Sequence, residues 1–384
     1  MSLQDNKNAL FGKAPMSSVP ESKKTSTSTS SSTITSSSSS GSKNTSSRLT
    51  VSPELKAKKL AEARENEEKA QKALKTSIFQ WSPDHILAGS SYDIAGGAYK
   101  TAEEFESAIQ AFLKAADSHE ACDSYGAAAL SLQKAAEISK QLGRSEQTAS
   151  IYVRTSQLWG LRGEIIRVGE FLCKAAKELE TVDPAKAKEH YINGIDYICP
   201  PETTVDQMNS CPALGPELFG DILKFHFKYR ATQKNLPASS YRISLPEVLA
   251  FANRVINVYD GLEMEASACR LRVTITLLQL ESGDVIAADK TFLDHLSNNN
   301  YLKSNESKLA EMFLMAFKQM DIDQLDEAQK SHILIHLDRD IQAIAKGLSL
   351  LANHNAPISA IVPSKTSVIT TSNSNNNNIN NINN

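Results

Sequence analysis

His332 and His336 stand four residues apart, a spacing that lets two imidazoles on one helix face share a metal ion. The residues between them are Ile333, Leu334 and Ile335, so the carboxylate that a zinc protease needs is missing, and two histidines on a helix edge is the simpler reading. Glu67-Glu68 and Glu103-Glu104 are adjacent acids that read as solvated helix faces rather than acid/base pairs. The five cysteines, Cys122, Cys173, Cys199, Cys211 and Cys269, include no C-x-x-C pair, and their odd number argues against a disulfide framework. That usage suits a reducing cytosol. No G-x-x-x-x-G-K-[ST] is present to cradle a nucleotide phosphate, and no G-x-S-x-G supports a serine nucleophile. The sequence therefore predicts no metal, no cofactor and no chemistry of its own.

The elements that carry these residues are helices in a repeat. Lys114-Ala115-Ala116, Lys134-Ala135-Ala136, Arg154-Thr155-Ser156 and Lys174-Ala175-Ala176 recur every 20 residues. Phe105, Ala108, Ile109, Phe112, Leu113 and Ala116 form the stripe of an amphipathic helix, and the following segments repeat it, the third more weakly. Phe112, Leu132, Tyr152 and Leu172 make a bulky row, while Ala116, Ala136, Ser156 and Ala176 make a small one. Such rows interlock between helices about 8–10 Å apart. One helix plus one turn in 20 residues, doubled into hairpins, predicts an all-α, tetratricopeptide-like α-solenoid of about 14 antiparallel helices with a C-terminal helical bundle.

Composition sets the boundaries. Residues 1–51 are dominated by Ser and Thr, cannot bury enough apolar surface to fold, and are read as a disordered tail. Ser52-Pro53-Glu54 opens a charged helix that runs to about Phe79, and Ser82-Pro83-Asp84 starts the next, which Gly96-Gly97 weakens. Asp183-Pro184 opens a further helix. Regularity breaks between Cys199 and Pro246, around an aromatic-basic helix from Leu218 to Tyr229. Helices are then expected over Glu247–Asp260, Glu263–Glu281, Asp284–Leu296, Ser304–Met320 and, unbroken, Asp323–Leu351. The solenoid is assigned to 52–296, the bundle to 297–352, and 353–384 to a disordered Asn-rich tail. Net charge is −3, which gives no bulk argument for nucleic acid. No charged-then-apolar leader and no apolar run of about 18 residues appears, so a soluble, cytoplasmic chain with peripheral membrane contact is expected.

Specific residues add a resemblance. Leu74-Lys75-Thr76 with Phe79, Trp81, Pro83 and Asp84 resembles the opening of gamma-type soluble NSF attachment proteins. Val182-Asp183-Pro184 with Lys186, Ala187 and Tyr191 resembles that family's V-D-P-x-K-A-x-x-x-Y element, and Lys346-Gly347-Leu348-Ser349-Leu350 its carboxyl-terminal leucine motif. The resemblance implies an adaptor on the cytosolic face of endomembranes. Its partners would be the four-helix SNARE bundle (syntaxin-type), the ATPase NSF and, peripherally, the bilayer. A generic peptide-clamping scaffold, and an enzyme with its site between Cys199 and Pro246, are the competing classes.

The resemblance also directs attention to particular side chains. SNARE bundles are acidic, so basic residues on one face are wanted. Lys114, Lys134, Arg154 and Lys174 each lie about 180° from the apolar stripe of their helices and are expected to face solvent. The 40-residue hairpin period gives Lys114 and Arg154 one surface and Lys134 and Lys174 the other, with the first pair favoured for the bundle. Ile78, Phe79 and Trp81 occupy the family's membrane-contact position, although Ile78 and Trp81 also continue the core stripe of Ala70 and Leu74. For the ATPase, Asp338 and Asp340 are preferred over the cluster Asp321, Asp323, Asp326 and Glu327, some of which serve a helix start. Leu348 and Leu350 are the apolar anchor.

Overall fold

The computed structural model describes residues 52–76, 81–201, 214–233, 237 and 239–350. Fifteen α-helices and one 3-10 helix lie among them, with no strand and a single isolated bridge between Arg230 and Ile243. The helices are α1 (Pro53–Leu74), α2 (His85–Thr101), α3 (Phe105–Ala121), α4 (Tyr125–Gln141), α5 (Ser145–Leu161), α6 (Ile165–Leu179) and α7 (Pro184–Ile198). These seven pack one against the next as antiparallel hairpins. Then come α8 (Leu214–Lys228), α9 (Leu245–Gly261), α10 (Glu265–Glu281), α11 (Val285–His295), α12 (Asn299–Leu302), α13 (Asn305–Gln319), α14 (Ile322–Gln329), the 3-10 turn His332–His336 and α15 (Arg339–Gly347).

Both predicted rows are in the core. Phe112, Leu132, Tyr152 and Leu172 are buried, as are Ala116, Ala136, Ser156 and Ala176. The weak third segment, α5, compensates with Ile151, Leu158 and Trp159, and it satisfies its buried hydroxyls locally. Thr148 donates to the Arg144 carbonyl at 2.8 Å, and Thr155 to that of Ile151 at 2.8 Å.

The 20-residue step has a backbone cause. Glu103, Asp123, Gly143 and Gly163 each adopt the left-handed conformation that ends a helix. At every one of these turns the left-handed residue donates to the carbonyl three positions back and its successor donates five back, as in Gly163 to Gly160 and Glu164 to Trp159. The device returns at Glu263 and Gly283, and helices again begin at 245, 265, 285 and 305, in phase with those beginning at 85, 105, 125, 145 and 165. The repeat therefore resumes in register after the irregular middle.

Three expectations are corrected. The first helix stops at Leu74, with Lys75 already extended, rather than reaching Phe79. Gly96 does more than weaken its helix, because a Cβ there would meet the Phe112 ring at 2.8 Å, so the glycine admits a member of the bulky row. Asp323–Leu351 is broken into α14, the 3-10 turn and α15, because Ser331 and Asp338 accept from the Ile333 and Asp340 amides and start new turns. The predicted tails lie outside the described residues.

A second close approach, Gly169 against Gly194, fastens α6 to α7. A Cβ on Gly169 would lie 2.4 Å from the Gly194 carbonyl oxygen, a backbone atom that yields only if the helices separate. Gly169→Ala is expected to lower stability by about 1–3 kcal/mol despite alanine's better helix propensity. A shift of the urea midpoint measures this, and an unchanged or raised midpoint would show that the helices separate without penalty.

Beyond the interruption, α10 is buried nearly all round, from Ala268 to Leu280, and it packs against α9, α11, α12, α13 and α15. The Arg230 guanidinium, beyond the end of α8, makes two bonds to the Glu281 carboxylate at the end of α10, at 2.7 and 2.8 Å. It also donates to the Phe227 carbonyl at 2.7 Å, and Thr232 donates to Glu281 at 2.6 Å.

Candidate functional site

The four basic residues expected to face solvent are only half exposed, and each is engaged by an acid. Lys114 on α3 reaches back to Glu67 on α1 at 2.8 Å, and Lys134 on α4 to Asp93 on α2 at 2.9 Å. Arg154 on α5 grips Asp117 and Glu120 on α3, at 2.6 and 2.7 Å. Lys174 on α6 pairs within its own helix, with Glu170 at 2.5 Å. On an isolated helix these side chains would stand in water. In a solenoid, the side facing away from the hairpin partner meets the helix two places earlier, and the charges meet there.

The lysine stems reinforce this, since the Lys114 ammonium lies 5.6 Å from the Tyr92 ring centroid and that of Lys134 lies 5.4 Å from the Phe112 centroid. The Lys114 hydrogen bond holds the Glu67 carboxyl below its ordinary range, and the same bond raises the lysine. Glu67 also accepts from the Tyr99 hydroxyl at 3.0 Å, so it is more than a solvated face. The pairs divide into two rows, one joining α1, α3 and α5, the other α2 and α4. The signal of the acidic partners in the sequence is an opposite charge 34 to 47 residues earlier, about two repeats.

Of the membrane-contact set, Ile78 and Phe79 lie outside the described residues. Trp81 is 91% exposed, so it does not continue the core stripe of Ala70 and Leu74. The chain leaves helical geometry at Lys75, and phase along the stripe is lost.

The carboxyl-terminal set divides. Asp338 caps α15 by accepting from the Asp340 amide at 2.9 Å. Both aspartates line an open cleft of about 400 Å³ that Lys177, Lys224 and Lys228 also line. Asp321 caps α14 through the Asp323 and Gln324 amides, and Asp326 pairs with Lys330. Leu348 and Leu350, expected as an exposed anchor, are buried in the core instead. The Gln329 side-chain amide holds that segment down by donating to the Ala345 and Leu348 carbonyls at 3.1 and 2.9 Å.

His332 and His336 are exposed on the 3-10 turn, where three residues per turn take positions i and i+4 off a common face. Among the described residues no three His, Cys, Asp or Glu side chains gather as a metal site. In the irregular middle, His226 is buried, stacks on Phe251 at 4.6 Å and donates from Nδ1 to the Ile222 carbonyl. Burial pushes the Cys173 thiol up to about 12, which removes it as a nucleophile.

Repeated hairpins with paired charges between alternate helices define a tetratricopeptide-like solenoid, a class that works by presenting surfaces. Residues 61–211 match the family described as soluble NSF attachment protein, SNAP. The chain is 26% identical over 303 residues to the gamma-soluble NSF attachment protein of Dictyostelium discoideum, covering 78% of this chain and 86% of that one. It is 24% identical over 280 residues to the protein of the same name from Arabidopsis thaliana, covering 73% and 89%. The resemblance to gamma-type soluble NSF attachment proteins is thus shown over most of the chain.

Proposed function

We propose that this chain is an adaptor that binds assembled SNARE complexes and recruits and stimulates the ATPase NSF, so that the complexes are taken apart in vesicle-mediated transport and membrane fusion. The observation that supports this most is coverage: the two relatives named gamma-soluble NSF attachment protein are matched over 86% and 89% of their own lengths. The energy comes from the ATPase's nucleotide. The adaptor works peripherally on the cytosolic face of endomembranes, with Trp81 as its lipid contact. Among the described residues no helix is long and apolar enough to cross a membrane. A pull-down on assembled SNARE complex, with and without NSF, tests the reading. Capture of isolated tail peptides instead would indicate a generic peptide clamp.

The row that carries Lys114 and Arg154 is assigned to the bundle. Their pairing with Glu67, Asp117 and Glu120 makes them a preorganised charge ladder whose cations exchange partners on binding. Half-exposed pairs contribute about 0–1 kcal/mol each, so reversing them should leave the fold intact. Lys114→Glu with Arg154→Glu should weaken capture of SNARE complex about tenfold at low salt. The Lys134→Glu, Lys174→Glu double should change it little, and equal losses from the two doubles would sink the assignment. Adding Glu67→Lys to Lys114→Glu restores an internal pair without restoring capture.

A further inference from the structure

The turns before α2, α4 and α6 fall on one edge of the solenoid, and those before α3, α5 and α7 on the other, because successive helices alternate in direction. The first edge is continuous. Trp81 and Ile86 share a surface depression with Cys122 of the α3–α4 turn. Farther along, the Arg162 guanidinium of the α5–α6 turn lies over Gly126 of α4, where a Cβ would meet Nη1 at 2.1 Å.

This edge presents large apolar side chains at both ends, with Trp81 91%, Ile86 66%, Leu161 47% and Ile166 48% exposed. Between Leu161 and Ile166, two arginines bracket the buried Trp159, with guanidinium carbons 5.7 Å (Arg162) and 4.3 Å (Arg167) from its ring centroid. Arg162 reaches Glu164 only at 3.8 Å, and Arg167 has no carboxylate partner among the described residues. Asp84 accepts from the Leu87 amide and Asp123 from the Tyr125 hydroxyl, bonds that orient both carboxylates and leave them charged.

We propose that the whole of this edge, from Trp81 and Ile86 to the α5–α6 turn, lies on a phospholipid bilayer. The inference rests on the reading of Trp81 as a lipid contact and extends it across two further turns. Exposed aliphatic chains and an indole enter the interfacial zone, and ring-stacked guanidinium groups offer paired donors to lipid phosphate. The opposite edge supplies the contrast. Leu142 and Val182 are also exposed there, but the cations beside them are held by carboxylates: Lys56 by Glu104, Arg144 by Glu106 and Lys186 by Asp183. Those pairs leave lipid phosphate no ring-stacked, carboxylate-free guanidinium of the kind Arg167 offers.

Co-flotation with vesicles of phosphatidylcholine and phosphatidylserine tests the assignment on the full chain. Leu161→Ser with Ile166→Ser should lower the bound fraction about tenfold. Arg162→Ala with Arg167→Ala should lower it on phosphatidylserine vesicles and less on phosphatidylcholine alone. The opposite-edge control, Leu142→Ser with Val182→Ser, should bind as the parent does. Should the first serine pair also lower the melting temperature, Ile166→Thr carries the test, with a drop again expected. If Trp81→Ser loses binding while the α5–α6 variants do not, contact is confined to the first loop and the edge proposal is overturned with the loop reading intact. If Trp81→Ser also binds normally, both readings fall. Loss of binding to soluble SNARE complex, with vesicle binding unchanged, would make the edge a protein-docking surface and overturn the proposal.

Discussion

Glu281→Leu should lower the free energy of unfolding by about 3–5 kcal/mol, because it leaves the Arg230 guanidinium buried with one of its partners gone. The Arg230 side chain is 4% exposed and that of Glu281 is 12% exposed, so water does little to replace the lost carboxylate. Thr232 loses its acceptor in the same step. The pair ties the end of α8 to the end of α10, the helix around which the carboxyl-terminal half packs, so the loss should spread to α9 and α15. Arg230→Met combined with Glu281→Leu removes both charges and should recover most of the stability, since apolar replacements of a buried pair are often neutral or better. The urea midpoint reads both results. A single-variant loss below about 1 kcal/mol would mean that solvent reaches the pair, as it does in an exposed salt bridge.

The second large effect concerns Leu348 and Leu350. As buried side chains they should each cost about 2–5 kcal/mol on truncation to alanine, and the double should unfold the segment around α14 and α15. If Asp338 and Asp340 meet NSF, its stimulation falls with the surface that bears them. Leu348→Met separates this from a direct anchor role, since a volume-conserving change costs under about 1.5 kcal/mol. With the fold preserved, NSF hydrolysis in the presence of SNARE complex should be undiminished. If Leu348→Met abolishes stimulation while its melting curve matches the parent, the leucine meets the ATPase directly.

The sequence alone determined the periodic parts. The rows Phe112 to Leu172 and Ala116 to Ala176 and the step of 20 were legible because a helix buries every third or fourth residue whatever it packs against. The helix starts at Ser52, Asp84 and Asp183 were legible too, since a side chain bonding an amide three residues on is local chemistry. Related local chemistry, to amides two residues on at Ser331 and Asp338, breaks the stretch that reads as one helix from Asp323 to Leu351.

Tertiary structure decided whatever depends on which helix comes to lie beside which. Lys114, Lys134 and Arg154 read as solvated because their partners lie 34 to 47 residues away, a distance that only the stacking of hairpins closes. Leu348 and Leu350 matched a motif, yet Gln329 and the core of α10 and α15 decided that they point inward. Trp81 went the other way. Helical geometry ends at Lys75, and an indole that continues the periodic stripe while also fitting the membrane-contact position stands in solvent.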